Sequence, residues 1–135
     1  MGKITYIKIA GRNYPMSFSL GASKKIMQRY GSAKKMSASL SSETDDTKKI
    51  DMVVWILSLL ISQGCAYKNY FEKDVPAPED APIIDGKWTP VDQNVLEYAI
   101  DISEIEEVTE KIEECINGGA KKKVKAEPGK NTKAT

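Results

Sequence analysis

The sequence predicts an α+β chain: an N-terminal β-hairpin packed on a mainly helical domain of four to five helices, then a disordered basic tail. Three observations predict it. Residues 14–20 alternate with period two, placing Tyr14, Met16, Phe18 and Leu20 on one face and Pro15, Ser17 and Ser19 on the other. From Asp46 onward, apolar residues recur at helical spacing. After Gly119 the apolar pattern is lost. Residues 1–119 therefore form one domain and 120–135 a lysine-rich tail. A chain of 135 residues holds one domain, and such a domain buries roughly two-thirds of its unfolded surface.

Residues 4–9 form the first strand, with Thr5, Ile7 and Ile9 on one face. Ala10-Gly11-Arg12-Asn13 is the turn, where Gly11 and Asn13 accept positive φ. Pro15 has no N–H to give a ladder, so the second strand is an edge strand there. A lone hairpin is marginal in water, so its apolar face needs a cover.

Ser19 or Gly21 opens the first helix, whose stripe is Ala22, Ile26 and Tyr30 and whose stop is Gly31. Ser32 caps a second helix carrying Met36 and Leu40. The third helix, about Asp46 to Gln63, is apolar nearly all round and so is buried among other elements. Gly64 ends it, and Cys65 to Lys73 can continue as a short helix. Val75 to Pro82 is a proline-rich acidic loop, and Asp85-Gly86 a turn. Thr89 caps the next helix, with Pro90 in its first position and Val95, Leu96, Ala99 and Ile100 on its buried side. Ser103 and Glu106 form a capping box for the last helix, whose stripe is Ile105, Val108, Ile112 and Ile116. Glu107 and Lys111 pair at i,i+4, and Asn117-Gly118-Gly119 closes the helix.

The charge is uneven. Residues 120–135 hold six Lys and one Glu, which leaves −4 on the other 119 residues of a chain whose net charge is +1. Cys65 and Cys115 are too few for a disulfide framework and wrongly spaced for zinc, which points to a reducing, cytoplasmic compartment. No signal-peptide pattern opens the chain, and the run Met52 to Ile61 is half a bilayer span, so no membrane role is expected.

The chain contains no histidine, which removes the commonest general base and transition-metal ligand. No phosphate-binding glycine loop is present. Ser32-Ala33-Lys34-Lys35 matches S-x-x-K, but its partner motifs are missing and Ser32 is already a helix cap. Glu106, Glu110, Glu113 and Glu114 share a solvated helix face, and Asp80 to Gly86 fails the calcium-loop spacing. No catalytic residue, metal or cofactor is expected. Lys121, Lys122, Lys123 and Lys125 have no interleaved aromatics, so they offer nucleic acid only salt-sensitive, non-specific attraction. Tyr67, Tyr70, Phe71 and Trp88 flank the proline loop and serve either loop packing or a partner surface. Tyr14, Met16 and Phe18 are the matching candidates in the hairpin.

The segment Ile7-Lys8-Ile9-Ala10-Gly11-Arg12-Asn13-Tyr14-Pro15-Met16-Ser17-Phe18-Ser19-Leu20-Gly21-Ala22 precedes a helix ending in Tyr30-Gly31. It resembles the opening hairpin of tail assembly chaperones of long-tailed phages and prophages of Gram-positive bacteria. The buried helix, proline loop, Thr89-Pro90 helix and lysine-rich end follow in similar order, so the likeness spans about residues 4–119. The resemblance implies a non-enzymatic cytoplasmic protein that coats the tape-measure protein, helps recruit tail-tube subunits and is absent from the mature virion. Self-association is expected through the hairpin or the Tyr67–Trp88 region. In many such phages a ribosomal frameshift lengthens a fraction of the copies, and Lys121-Lys122-Lys123 is compatible with an A-rich slippery run. The rival readings are a nucleic-acid-associated protein that uses the basic tail and another small tail-completion or connector protein.

Overall fold

The computed structural model describes residues 4–126, and side chains through Gly118. The order is β1 (Thr5–Ile9), β2 (Arg12–Met16), α1 (Leu20–Tyr30), α2 (Ala33–Ser42), α3 (Asp46–Phe71), β3 (Ile83–Ile84), β4 (Lys87–Trp88), α4 (Gln93–Ala99), a 3-10 turn (Ile102–Glu104) and α5 (Ile105–Ala126). The predicted α+β class, a hairpin followed by five helices, is what the chain adopts.

The hairpin turns over two residues, since Ile9 pairs with Arg12. Ala10 (φ 51°) and Gly11 (φ 81°) both take left-handed backbone, the geometry whose twist matches the flanking strands. Gly11 was expected there. The second such residue is Ala10 rather than Asn13, which lies within β2 opposite Lys8. Ile7, Ile9 and Met16 are buried, as the alternation requires, but Leu20 has left the strand phase and is 90% exposed in the first turn of α1.

Ser19 caps α1 by accepting from the Ala22 N–H (3.1 Å), and its hydroxyl bonds Gln63 of α3. Gly31 (φ 98°) ends α1, with its N–H on the Met27 carbonyl. Ser32 caps α2 through the Lys35 N–H (3.0 Å), and Met36 and Leu40 are fully buried.

The centre of the fold is α3, which packs against β2, β4 and the other four helices. Its 26 residues include an apolar window long enough to cross a membrane, but half of that window is buried inside the protein. That fits a core helix wrapped by other elements. Gly64 does not end it. A Cβ on Gly64 would stand within 3.0 Å of three backbone atoms of Pro15 and Met16. The glycine lets the edge of β2 lie directly against the helix, and the Ser17 N–H reaches the Leu60 carbonyl (3.0 Å). A helix-interior glycine costs only about 1 kcal/mol relative to alanine, so packing on both sides carries the helix through it.

The proline loop closes on a two-residue hairpin, β3–β4, turned by Asp85 (φ 53°) and Gly86 (φ 78°). Further corrections concern helix ends and one ion pair. Asp92, not Thr89, caps α4 by accepting from the Val95 N–H (3.1 Å), while the Thr89 hydroxyl donates back to the Lys87 carbonyl (2.9 Å) and its N–H to the Pro82 carbonyl (2.9 Å), which holds it in the β3–β4 hairpin. Asp101 and Glu104, not Ser103 and Glu106, form the capping box. Lys111 pairs with Glu114 (3.6 Å) rather than Glu107. The last helix passes Asn117-Gly118-Gly119 and continues to Ala126. The expected disorder of the tail concerns, for residues 127–135, positions outside those described.

Candidate functional site

The seven aromatic and methionine candidates divide by burial. Met16 is fully buried and Trp88 is 8% exposed, so neither offers a surface. Tyr14 and Phe18 are half-buried against the core. Burial, then the neighbouring Cys65, raises the Tyr14 hydroxyl above its usual pKa. The alternation of β2 marked these residues as apolar, and covering the hairpin face made Met16 a core residue.

Trp88 is an anchor. The Asn69 side chain accepts from its N–H (2.9 Å) and donates to its carbonyl (2.8 Å), fixing β4 on α3. Lys68 stands between two rings, its Nζ 5.3 Å from Trp88 and 5.4 Å from Tyr6. Burial opposes its charge, but hydrogen bonds to Glu72 (2.8 Å) and Tyr6 outweigh this, so its pKa rises.

The opposite holds at the end of α3. Tyr70 is 69% and Phe71 67% exposed, and Val75 follows at 56%. Phe71 stacks edge-on to Tyr70 (4.8 Å between centroids) and tilted to half-buried Tyr67 (5.0 Å). The three rings form one cluster whose inner member is half-buried and whose outer two face water. Lys73 lies 5.6 Å from the Tyr70 ring. Of the sequence candidates, Tyr67, Tyr70 and Phe71 are thus brought together at the surface, while Tyr14, Met16, Phe18 and Trp88 serve the core and its margin.

Exposed apolar residues that the sequence reading did not single out include Ile84, Tyr98 and Ile102. Ile102 borders a cleft of about 190 Å³ between α3, α4 and α5, floored by Val53, Val54 and Leu96 and rimmed by Glu97 and Asp101. The signal was an isoleucine just past a short helix, which helical periodicity does not resolve. A larger cleft, about 410 Å³, lies between β1 and α5. Ile7, Ile9 and Val108 give it apolar surface, and Glu104, Glu107 and Lys111 line its helical side.

Ser32 is occupied as the α2 cap. Glu113 accepts from Ser37 (3.0 Å) and so ties α5 to α2 instead of belonging to a wholly solvated face. Among the described residues, no three His, Cys, Asp or Glu converge to hold a metal. Cys65 and Cys115 are free and buried, with burial pushing their thiols up to about 12 and about 11. The side chains of Lys121, Lys122, Lys123 and Lys125 lie outside those described. Comparison of the chain with protein-family models, curated proteins and solved structures finds no match.

Proposed function

We propose that this protein is a non-enzymatic assembly chaperone of long-tailed phage particles. It binds the tape-measure protein in the bacterial cytoplasm, helps recruit tail-tube subunits and leaves before the particle is complete. The hairpin motif from Ile7 to Ala22 and the order of elements support the reading. The observation that carries it is the aromatic cluster at the end of α3, where Tyr70, Phe71 and Val75 stand more than half exposed.

The physical logic is that of a holdase. A long helical client exposes apolar stripes before assembly and needs many weak contacts that release later. Two exposed rings on a rigid helix suit that role, because aromatic side chains provide large contact area at small entropic cost.

The test is co-expression with the products of the neighbouring genes, in search of a very long helical client. The expected result is a soluble client that co-purifies with the chain and aggregates when Tyr70→Ser and Phe71→Ser are combined. A client equally soluble with and without the chain would overturn the proposal. Replacing Lys121, Lys122, Lys123 and Lys125 with Gln should leave client binding intact. Salt-sensitive DNA binding that disappears in that variant, with no client binding, would instead establish the nucleic-acid role.

A further inference from the structure

The two edges of the N-terminal hairpin differ. Its register makes Thr5–Met16, Ile7–Tyr14 and Ile9–Arg12 the residue pairs that bond across the ladder. Residues 13, 15 and 17 therefore aim their backbone outward from β2, and Tyr6 and Lys8 aim theirs outward from β1. On β2 every outward donor is accounted for. The Asn13 N–H bonds the Asp80 carbonyl (2.9 Å), Pro15 has none, and the Ser17 N–H bonds the Leu60 carbonyl (3.0 Å). On β1, among the described residues, neither Tyr6 nor Lys8 has a backbone partner on its outward side. Two donors and two acceptors stand open in a row.

Beside that row lies the cleft of about 410 Å³. Its helical wall runs antiparallel to the strand. Glu104 and Glu107 stand near Gly11 at the hairpin tip, whereas Cys115 meets Thr5 at the other end. We propose that this edge and cleft receive an extended segment of a partner protein as a third strand. Alternate residues of the segment turn an apolar side chain toward Ile7, Ile9 and Val108. A basic residue lies at the end nearest the tip.

Charge and shape select that occupant. Among the described residues Glu107 forms no ion pair, and Glu104, whose carboxylate accepts from the Asp101 N–H (2.8 Å), pairs with no cation; Lys8 lines the strand side of the cleft, and Lys111 is already engaged by Glu114 (3.6 Å). The tip end of the cleft therefore favours a cation, and a strand antiparallel to β1 brings its N-terminal half there. A second copy offering the same edge would bring its own α5, so two helices would contest one cleft. An extended segment carries no such helix. The recognition uses backbone for affinity and alternate side chains for specificity, as strand addition generally does. It is independent of the aromatic cluster on α3.

The test uses the full chain and a capped nine-residue peptide of alternating valine and threonine with lysine at its N-terminal end. Amide exchange is followed by NMR. The expected result is that the Tyr6 and Lys8 amides slow at least tenfold at saturation while other surface amides do not. N-methylating the peptide nitrogens that face β1 should weaken binding by about tenfold, the loss of two modest hydrogen bonds. Glu107→Lys should weaken the lysine peptide and favour one with glutamate in its place. Unchanged exchange at Tyr6 and Lys8, or equal binding of the N-methylated peptide, would overturn the proposal. Protection already present in the free protein and lost on dilution would overturn it in favour of a second copy.

Discussion

Gly64→Ala isolates the contact on which the fold turns. Helix propensity alone favours alanine at an interior helical site by about 1 kcal/mol. The structure sets a larger opposing effect. A Cβ at residue 64 would stand inside 3.0 Å of the Pro15 carbonyl carbon and oxygen and the Met16 nitrogen, where ordinary contact begins near 3.4 Å. These are backbone atoms, so no side-chain rotation relieves the clash. Either α3 or β2 must withdraw, and withdrawal breaks the bond from the Ser17 N–H to the Leu60 carbonyl and loosens fully buried Met16. Overpacking costs about 1–3 kcal/mol and a hydrogen bond about 1 kcal/mol. The net destabilisation should be about 1–3 kcal/mol after the propensity gain. Gly118→Ala is the control, since a Cβ there meets nothing within 4 Å, and it should stabilise by up to about 1 kcal/mol. Urea denaturation of both variants measures the difference, and amide exchange at Ser17 reports the lost bond. A Gly64→Ala protein as stable as the parent would refute the reasoning.

Asn69→Ala should cost about 2 kcal/mol by denaturation, because it removes both hydrogen bonds to the Trp88 backbone. Tyr70→Ser with Phe71→Ser should change stability by less than about 1 kcal/mol while removing client binding, since both rings are mostly in water. Stability should fall as pH rises above 9. The unfolded thiols ionise near 9.0, while burial holds Cys65 and Cys115 protonated to about 12 and about 11. The native state thus binds more protons in that window, and each thiol contributes a loss of about 1.4 kcal/mol by pH 10. Denaturation at pH 8 and pH 10 checks this, and the slope should flatten when both cysteines are replaced by alanine.

The elements legible in the sequence are those whose signals are local and unopposed. Ser32 precedes a helix with no competing cap nearby and caps as expected, and of the two openings Ser19 and Gly21 it is Ser19 that caps α1. Gly31 follows a finished stripe and ends α1. Where two local signals compete, tertiary contacts decide. Thr89 and Asp92 are both good caps, but Thr89 is held in the β3–β4 hairpin by its bonds to the Pro82 and Lys87 carbonyls, and it is Asp92 whose side chain accepts from the Val95 N–H at the start of α4. Gly64 carries the signal of a helix stop, but what it supplies is space, visible only once Pro15 is seen to lie against it. The same limit applies to the candidate surface. Tyr67, Tyr70 and Phe71 sit at neighbouring helical positions of similar chemistry, and only the packing of the last turns of α3 sorts the half-buried ring from the exposed pair.

That sorting bears on how the hairpin is used. In the sequence Pro15 marks β2 as an edge strand, since proline is tolerated where no ladder continues. In the folded chain the proline sits on a closed edge. Its carbonyl lies against Gly64, and the donors on either side are taken by Asp80 and Leu60. A sheet edge without a covering element is a template for further pairing, and in this hairpin that condition passes to Tyr6 and Lys8 of β1. Proline thus marks the strand that the protein covers for itself. The strand rich in ordinary donors, Thr5 to Ile9, is the one that a second chain can extend.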